Sequence, residues 1–421
     1  MSLTQENYVR LLSSMNIRIP PSSRHKLNSL FQVFSIPTSQ TTESSTEPTQ
    51  KMIPFPGCNS MDSFSDFDLN KFVFTSELCE NYDYSNVPHS DKIPGKLHYR
   101  VDEITQVDLC EIRFLSKGSF GYVFEYKTTS EPYYQVAIKT YNKPDDSEIA
   151  FVQDLQNKGI DCNLINAKIL QEGQTTVCVM DLMNGNLSQI VKPRIISQQM
   201  VNKPFITSTQ AVEIWKLFVT YMDCLFKKGY IYSDIKLHNI LFKCVKDDLK
   251  IVLGDLGSIH LLGERCPVTF PPPESFLTNE VVADENLLLW GTGILLASLL
   301  RLSIKTFYTD NFFKIIVDQN WVNLTAELTR LKNKNPRDDQ DNVRIQELER
   351  QKQDLLRTNL SKVQISILFQ VRTYQSVRDI QIGSTNAYDL LQELLIFDCT
   401  DPSQPSRIRW ENLMNKVFPG K

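Results

Sequence analysis

The ten residues Tyr232-Ser233-Asp234-Ile235-Lys236-Leu237-His238-Asn239-Ile240-Leu241 constrain this chain more than any other stretch. An aspartate, a lysine two residues on and an asparagine five residues on lie between two apolar runs. The polar trio therefore sits on a loop between apolar segments. A carboxylate can accept a proton from a hydroxyl, a lysine can hold a moving phosphoryl group, and an amide oxygen can bind a metal ion. The spacing suits phosphoryl transfer. Its weight depends on whether the other parts of such a site occur around it in the right order.

Bulk properties narrow the field. With 421 residues the chain can hold two or three domains, or one two-lobed domain with an extension. A formal net charge of -4 and a pI near 5.9 argue against a nucleic-acid partner held by a global positive field. Nine cysteines are scattered singly, without a C-x-x-C pair, and read as reduced intracellular thiols rather than a disulfide framework. The first ten residues lack a signal-peptide layout. The longest apolar run, 287–300, reads as a buried core helix because about 14 residues span a bilayer poorly. A soluble, intracellular protein with no membrane partner is expected.

Residues 1–104 differ in character from the rest. Residues 35–50 are rich in Ser, Thr, Pro and Gln and read as a disordered linker. Before them, 6–34 has room for one or two short helices, broken at Ile19-Pro20-Pro21. After them, 58–98 mixes aromatics with acids and reads as solvated loops packed on a neighbouring domain, or else as a docking segment. From about Val107 the pattern becomes globular. Strands are predicted at 112–115, 122–126, 134–140, 176–180, 239–242 and 250–253. Helical spacing occurs at 147–155 and at 210–228, where Val212, Trp215, Val219, Met222 and Phe226 share a face. Beyond Asp284 the chain reads as mostly helical, with 332–357 a charged surface loop and helix.

Several further strings surround the opening loop. Ser116-Lys117-Gly118-Ser119-Phe120-Gly121-Tyr122-Val123 is a turn whose glycines let backbone N–H groups approach phosphates. Val136-Ala137-Ile138-Lys139 is an apolar strand ending in a lysine, 18 residues beyond Gly121. Together they resemble the small lobe of a eukaryotic-type protein kinase. The resemblance continues in order through Glu148, with Phe151, Val152 and Leu155 on one helical face. It then runs through Val177–Met183, the opening loop, Gly254-Asp255-Leu256-Gly257, Pro272-Pro273-Glu274 and Trp290-x-x-Gly293, to the closing helices near 390–397 and 410–417.

This resemblance covers about 310 of the 421 residues. It implies an α+β bilobal fold over 105–421, with a small, mainly antiparallel β lobe carrying one helix (105–183) and a larger, mostly helical lobe (184–421). It implies ATP held by Ser116, Gly118, Gly121, Val123, Ala137, Lys139, Glu148, Met180, Asp181, Met183 and Leu241. Met180 takes the gatekeeper position, and Asp181 to Met183 offer backbone groups to adenine. Asp234 is implied as catalytic base and Lys236 as the phosphate contact. Asn239 and Asp255 are implied as ligands of Mg²⁺ or Mn²⁺. The implied substrate is a protein Ser or Thr hydroxyl.

The departures from the family are also specific. Tyr232 and Ser233 replace the histidine and arginine that usually precede the catalytic aspartate. Serine cannot gather a phosphate as arginine does. The segment from Asp255 to Glu274 holds only two hydroxyls, Ser258 and Thr269, so no activation by phosphorylation is expected there. Lys139 and Glu148 are only nine residues apart. Leu288 stands where an aspartate usually anchors the loop, with Asp284 and Glu285 as candidate substitutes and Tyr232–Leu256 packing as the fallback. Arg407 is the candidate partner of Glu274. Such losses are similar to those of divergent kinases, including those of large DNA viruses. An active Ser/Thr kinase, a pseudokinase acting as a binding or scaffolding module, and a small-molecule kinase of the related fold all remain readings of these residues.

Overall fold

The structure, a computed structural model, describes residues 51–56, 67–80, 82–118, 121–129, 131–141, 146–191, 205–275, 280–304, 307, 314–334, 338–396 and 407–420. The expectations for residues 1–50 lie outside these, as do those for Ser119, Phe120, Phe397 and the Leu155 side chain.

Alternation along one strand explains the first half of the architecture. In Gly121–Lys127, Tyr122, Phe124 and Tyr126 face one way and Val123 the other. Both faces of this strand therefore need cover. One face is met by chain that precedes it. After a two-residue strand, β1 (Ile53–Pro54), come β2 (Phe72–Thr75), β3 (Lys96–Arg100) and β4 (Gln106–Leu109), an antiparallel sheet in the order β2-β3-β4. It packs on a five-stranded antiparallel sheet made of β5 (Glu111–Lys117), β6 (Gly121–Lys127), β7 (Gln135–Tyr141), β8 (Ala167–Glu172) and β9 (Thr175–Asp181), in the order β5-β6-β7-β9-β8. Phe72, Phe74 and Tyr99 meet Phe124, Tyr126, Val136 and Ile138 in one core. Each buried Phe there contributes about 1.5–3 kcal/mol. Residues 72–98 are thus sheet and short helical turns, not the solvated loops expected. Their strands are short and mostly polar at every other position, so the aromatics read as scattered.

The other face carries α1 (Asp146–Lys158) and leads to the second lobe. There β10 (Gly185–Asn186), β12 (Ile240–Val245) and β13 (Asp248–Leu253) form a sheet in the order β1-β13-β12-β10. A separate pair joins β11 (Tyr230–Tyr232) to β14 (Ile259–Leu261). Helix α2 (Ser208–Lys227) starts at a Thr207/Gln210 capping box and buries Val212, Trp215, Val219 and Met222. Helix α3 (Glu285–Leu299) is apolar on every side and runs through the lobe's centre. Trp215 Nε1 donates to the Thr292 carbonyl at 3.0 Å and ties the two helices. A glycine at 293 lets Leu394 and Leu395 of α6 (Ala387–Leu395) approach α3 closely. The fold is α+β and bilobal, as expected. Among the described residues no helix is long and apolar enough to cross a membrane.

The charged segment expected as loop and helix over 332–357 runs from the end of α4 (Gln319–Lys332) into α5 (Asp339–Arg372), a 34-residue helix capped by Asp338 that continues beyond the expected end. The first half of α5 shares a small core with α4 through Ile345, Leu348, Leu328 and Leu331. Its second half enters the main core through Leu360, Val363 and Ile367. Dense surface charge on the first half hid its continuity with the second. The closing helix is α7 (Trp410–Val417). The cysteines are not all reduced thiols: Cys79 pairs with Cys110 and Cys162 with Cys224, at Cα separations of 5.8 and 5.6 Å. Cys244 is disulfide-bonded as well. The partners are 31 and 62 residues apart in sequence, so only the fold brings them together.

Candidate active site

The small-lobe half of the site follows from the pleat of β7. Val136 and Ile138 go to the outer core, so Ala137 and Lys139 face the other way. Lys139 lies opposite Val123 on β6 and Cys178 on β9. Its ammonium donates to Glu148 Oε1 and Oε2 at 2.8 and 2.7 Å and lies 3.7 Å from Asp255 Oδ1. The nine-residue spacing is therefore enough to close the pair. Burial alone would pull the Lys139 ammonium down, but the carboxylates of Glu148 and Asp255 outweigh it and hold it above its ordinary value. Burial drives the Cys178 thiol beneath this pair up to about 12, which leaves it inert.

The turn before β6 is set by backbone crowding. Gly118 N–H donates to the Gly121 carbonyl at 2.9 Å. A Cβ on Gly121 would lie 1.7 Å from the Thr140 carbonyl oxygen, so only glycine fits. Ser116 stands opposite Val123. Ala137 stands opposite Met180 on β9. Met180, Met183 and Leu241 are each half-buried against the main core. Leu241 packs where a side chain on Gly254 would otherwise stand. The Asp181 N–H is already given to the Asn166 carbonyl at 3.1 Å. Of the stretch expected to face adenine, this amide is thus committed elsewhere.

The large-lobe half gathers the opening loop. Lys236 Nζ is 2.5 Å from Asp234 Oδ2 and 3.2 Å from Thr269 Oγ1. Thr269 N–H donates to Asp234 Oδ1 at 2.8 Å. Asn239 Nδ2 donates to the Asp234 carbonyl at 3.0 Å and lies 3.4 Å from Asp255 Oδ2. Ser258 Oγ donates to the same Asp255 oxygen at 2.9 Å. Asp255 itself has φ 47° and ψ 67°, a left-handed conformation uncommon for a non-glycine residue. Lys139, Glu148, Asp255, Asn239, Asp234 and Lys236 thus form one connected set.

Of the supports the sequence offered for the loop, the two carboxylates serve elsewhere and Tyr232 remains, acting through its hydroxyl. Asp284 caps its own helix through the Leu287 N–H at 2.8 Å, and Glu285 accepts from Trp410 N–H at 2.5 Å. Support for the loop comes instead from Tyr232, whose hydroxyl donates to the Gly254 carbonyl at 2.6 Å, and from Ser233, whose N–H donates to the Ser258 carbonyl at 2.8 Å. Ile235 fills the space that a side chain on Gly291 of α3 would take, at 2.6 Å from its Cβ position. Burial, and then the charges of Asp255 and Asp234, push the Tyr232 phenol well above its ordinary value, so it stays a donor. Arg407 meets Glu274 through both guanidinium nitrogens and donates to the Leu394 carbonyl at 3.0 Å. The sequence reading missed Thr269 as a direct partner of Asp234 and Lys236. It also missed Gly291, for which the glycine beside Trp290 was the available signal.

The donor set suits a magnesium nucleotide. Asn239 and Asp255 offer hard oxygen ligands from one amide and one carboxylate, the sparse protein contribution that Mg²⁺ takes when phosphates complete its shell. Lys139 supplies a cation beside Asp255.

Comparison with known proteins agrees with this geometry. The family model described as "Protein kinase domain" matches residues 110–418. Ribosomal protein S6 kinase alpha-6 of Mus musculus is 29% identical over 179 residues, covering 40% of this chain and 22% of its own length. Calcium/calmodulin-dependent protein kinase type 1 of Macrobrachium nipponense is 22% identical over 233 residues, covering 52% of this chain and 63% of its own. The matches thus reach less than two thirds of either relative.

Proposed function

The chain belongs to the protein kinase family, and on that premise we propose that it is an active Ser/Thr protein kinase rather than a binding module on the same fold. The observation that carries the proposal is the unbroken set from Glu148 through Lys139, Asp255 and Asn239 to Asp234 and Lys236. A binding module has no physical need for a carboxylate placed between a lysine and a backbone N–H. Asp234 sits where it can orient a substrate hydroxyl and take its proton. Lys236 stands beside it to stabilise charge on the transferring group. Glu148 fixes the Lys139 ammonium for phosphate contact, and Asn239 and Asp255 would hold the metal. Bound Mg·ATP would supply the γ-phosphoryl group and the metal's charge.

A protein hydroxyl is favoured as acceptor by two observations. The Thr269 hydroxyl rests against Lys236 beside Asp234, so an aliphatic hydroxyl fits that position. The relatives are named as kinases of proteins. Activity is expected without phosphate on the activation segment. Ser258 is buried and donates to Asp255, and Thr269 is engaged with the catalytic pair itself. A change at Thr269 therefore disturbs catalysis directly and does not report on phosphorylation. The test is phosphatase treatment followed by labelled γ-phosphate transfer to a Ser/Thr peptide array. Undiminished transfer to Ser or Thr peptides supports the proposal. Nucleotide binding without transfer to any peptide points to the binding module instead.

A further inference from the structure

The activation segment, from Asp255 to Glu274, is laid along two neighbours. Its first part follows the strand before the opening loop. Tyr232 pairs with Ile259, Ile231 with His260 and Tyr230 with Leu261, and the Leu262 N–H donates to the Gly229 carbonyl at 2.9 Å. Its next part meets the chain that leads into α3. Gly263 N–H donates to the Ala283 carbonyl at 2.8 Å, Ala283 N–H to the Glu264 carbonyl at 2.7 Å and Cys266 N–H to the Val281 carbonyl at 3.1 Å. Arg265 also pairs with Glu280. Backbone hydrogen bonds thus carry the course of the segment as far as Cys266.

Pro267 interrupts this ladder. It has no N–H to give, and its carbonyl is met by a side chain, with Ser233 Oγ 3.4 Å away. The same hydroxyl is 3.1 Å from the Ser258 carbonyl, which also accepts the Ser233 N–H at 2.8 Å. The single hydroxyl proton of Ser233 is thus shared between carbonyls from two separate parts of the segment. Ser233 is 3% exposed, so water competes little for either. Each carbonyl adjoins a group of the site. Ser258 Oγ donates to Asp255 Oδ2 at 2.9 Å, and just past Pro267 the Thr269 N–H donates to Asp234 Oδ1 at 2.8 Å.

Resting on the kinase reading, we propose that Ser233 is a positioning residue: its side chain brackets the activation segment at Ser258 and at Pro267, and so sets Thr269 against Asp234 and Lys236 with no phosphate on the segment. The bracket is a neutral device in place of a charged one. An arginine gathers a phosphate or a carboxylate. The acceptors of Ser233 are carbonyls, which a hydroxyl satisfies without any modification. Order in the segment is therefore built in at folding and does not wait on a modifying enzyme. The two donors of Ser233 have separate tasks. Its N–H fixes Ser258 whatever the side chain, whereas only its hydroxyl reaches Pro267. Removing the hydroxyl frees the Thr269 end, which faces the acceptor, and leaves the Asp255 end, which faces the nucleotide, in place.

The test compares wild type, Ser233→Ala and Ser233→Thr as full-length, phosphatase-treated chains, by native-state amide exchange and by peptide phosphorylation kinetics. In Ser233→Ala, exchange across residues 264–270 is expected to quicken about threefold to tenfold, the worth of one hydrogen bond, while α2 and β13 keep the wild-type rate. The KM for a generic Ser/Thr peptide should rise about threefold to tenfold, with the KM for Mg·ATP within about twofold of wild type. Ser233→Thr keeps the hydroxyl and should restore both. Wild-type exchange over 264–270 in Ser233→Ala overturns the proposal, as does a quickening spread evenly over α2 and β13. A rise in the KM for Mg·ATP as large as that for peptide also overturns it, as does a Ser233→Thr chain no better protected than Ser233→Ala. Exchange does not require catalysis. A wild type that transfers no phosphate would count against the kinase reading alone and leave the bracket to be judged on exchange.

Discussion

The two halves of the site are held in opposite ways. In the small lobe, Lys139 is fixed by charge: Glu148 is 2% exposed and meets the ammonium at 2.7–2.8 Å. In the large lobe, Asp234 and Lys236 rest on a loop held by neutral groups, through the Tyr232 hydroxyl, the Ser233 N–H and the packing of Ile235 on Gly291. The difference follows from what each half must do. Lys139 has one task and can be locked. On the proposed function, Asp234 and Lys236 exchange partners with a substrate hydroxyl, and fixed charges nearby would compete with it.

This comparison makes ordered predictions. Lys139→Met and Asp234→Asn should both abolish transfer but differ in stability. The first strands the Glu148 carboxylate in a buried site and should cost about 3–5 kcal/mol, seen as a large fall in the denaturant midpoint. The second should lower kcat by about 10²–10⁴-fold with the midpoint near wild type. Equal stability losses in the two variants would break the comparison. Next in size, Gly291→Ala drives a methyl into Ile235 and should cost about 1–3 kcal/mol while lowering kcat more than the ATP KM. A kcat left at the wild-type value would mean that α3 does not position the loop.

Tyr232→Phe removes a neutral hydroxyl shared between the Gly254 and Asn239 carbonyls and should cost about 1 kcal/mol, with a modest loss of kcat. The smallest effect is with pH. The folded-state value of Lys139 lies above its ordinary 10.5, so its contribution to stability is complete below that value and is lost only as pH rises beyond it. Mg·ATP affinity should therefore stay flat from pH 7 to 9. A decline in that window that is absent in Lys139→Arg would contradict the assignment.

Much of the site was legible because its residues lie in short strings with fixed internal spacing. Asp234, Lys236 and Asn239 share one loop, and Lys139 ends an apolar strand whose pleat fixes its direction. The Arg407–Glu274 pairing followed from the family resemblance, in which an arginine meets the glutamate of the Pro272-Pro273-Glu274 string. What escaped were contacts between distant segments with no local pattern. Gly291 matters only because Ile235 packs on it. Asp284 and Glu285 looked like substitutes for the missing aspartate at 288, but each serves a helix terminus, a task that sequence distance alone does not reveal. The strands of 72–109 were missed because their apolar positions are completed by β6, whose Tyr122, Phe124 and Tyr126 carried the unread signal of a covered outer face. The disulfides were missed for the same reason.

The account stands most directly on labelled γ-phosphate transfer from Mg·ATP to a generic Ser/Thr substrate, measured side by side for phosphatase-treated wild type, Lys139→Met and Asp234→Asn. It predicts transfer by the wild type alone, with Asp234→Asn still folded and still binding nucleotide. Equal signal from all three proteins, or no transfer from a wild type that binds Mg·ATP, would contradict it.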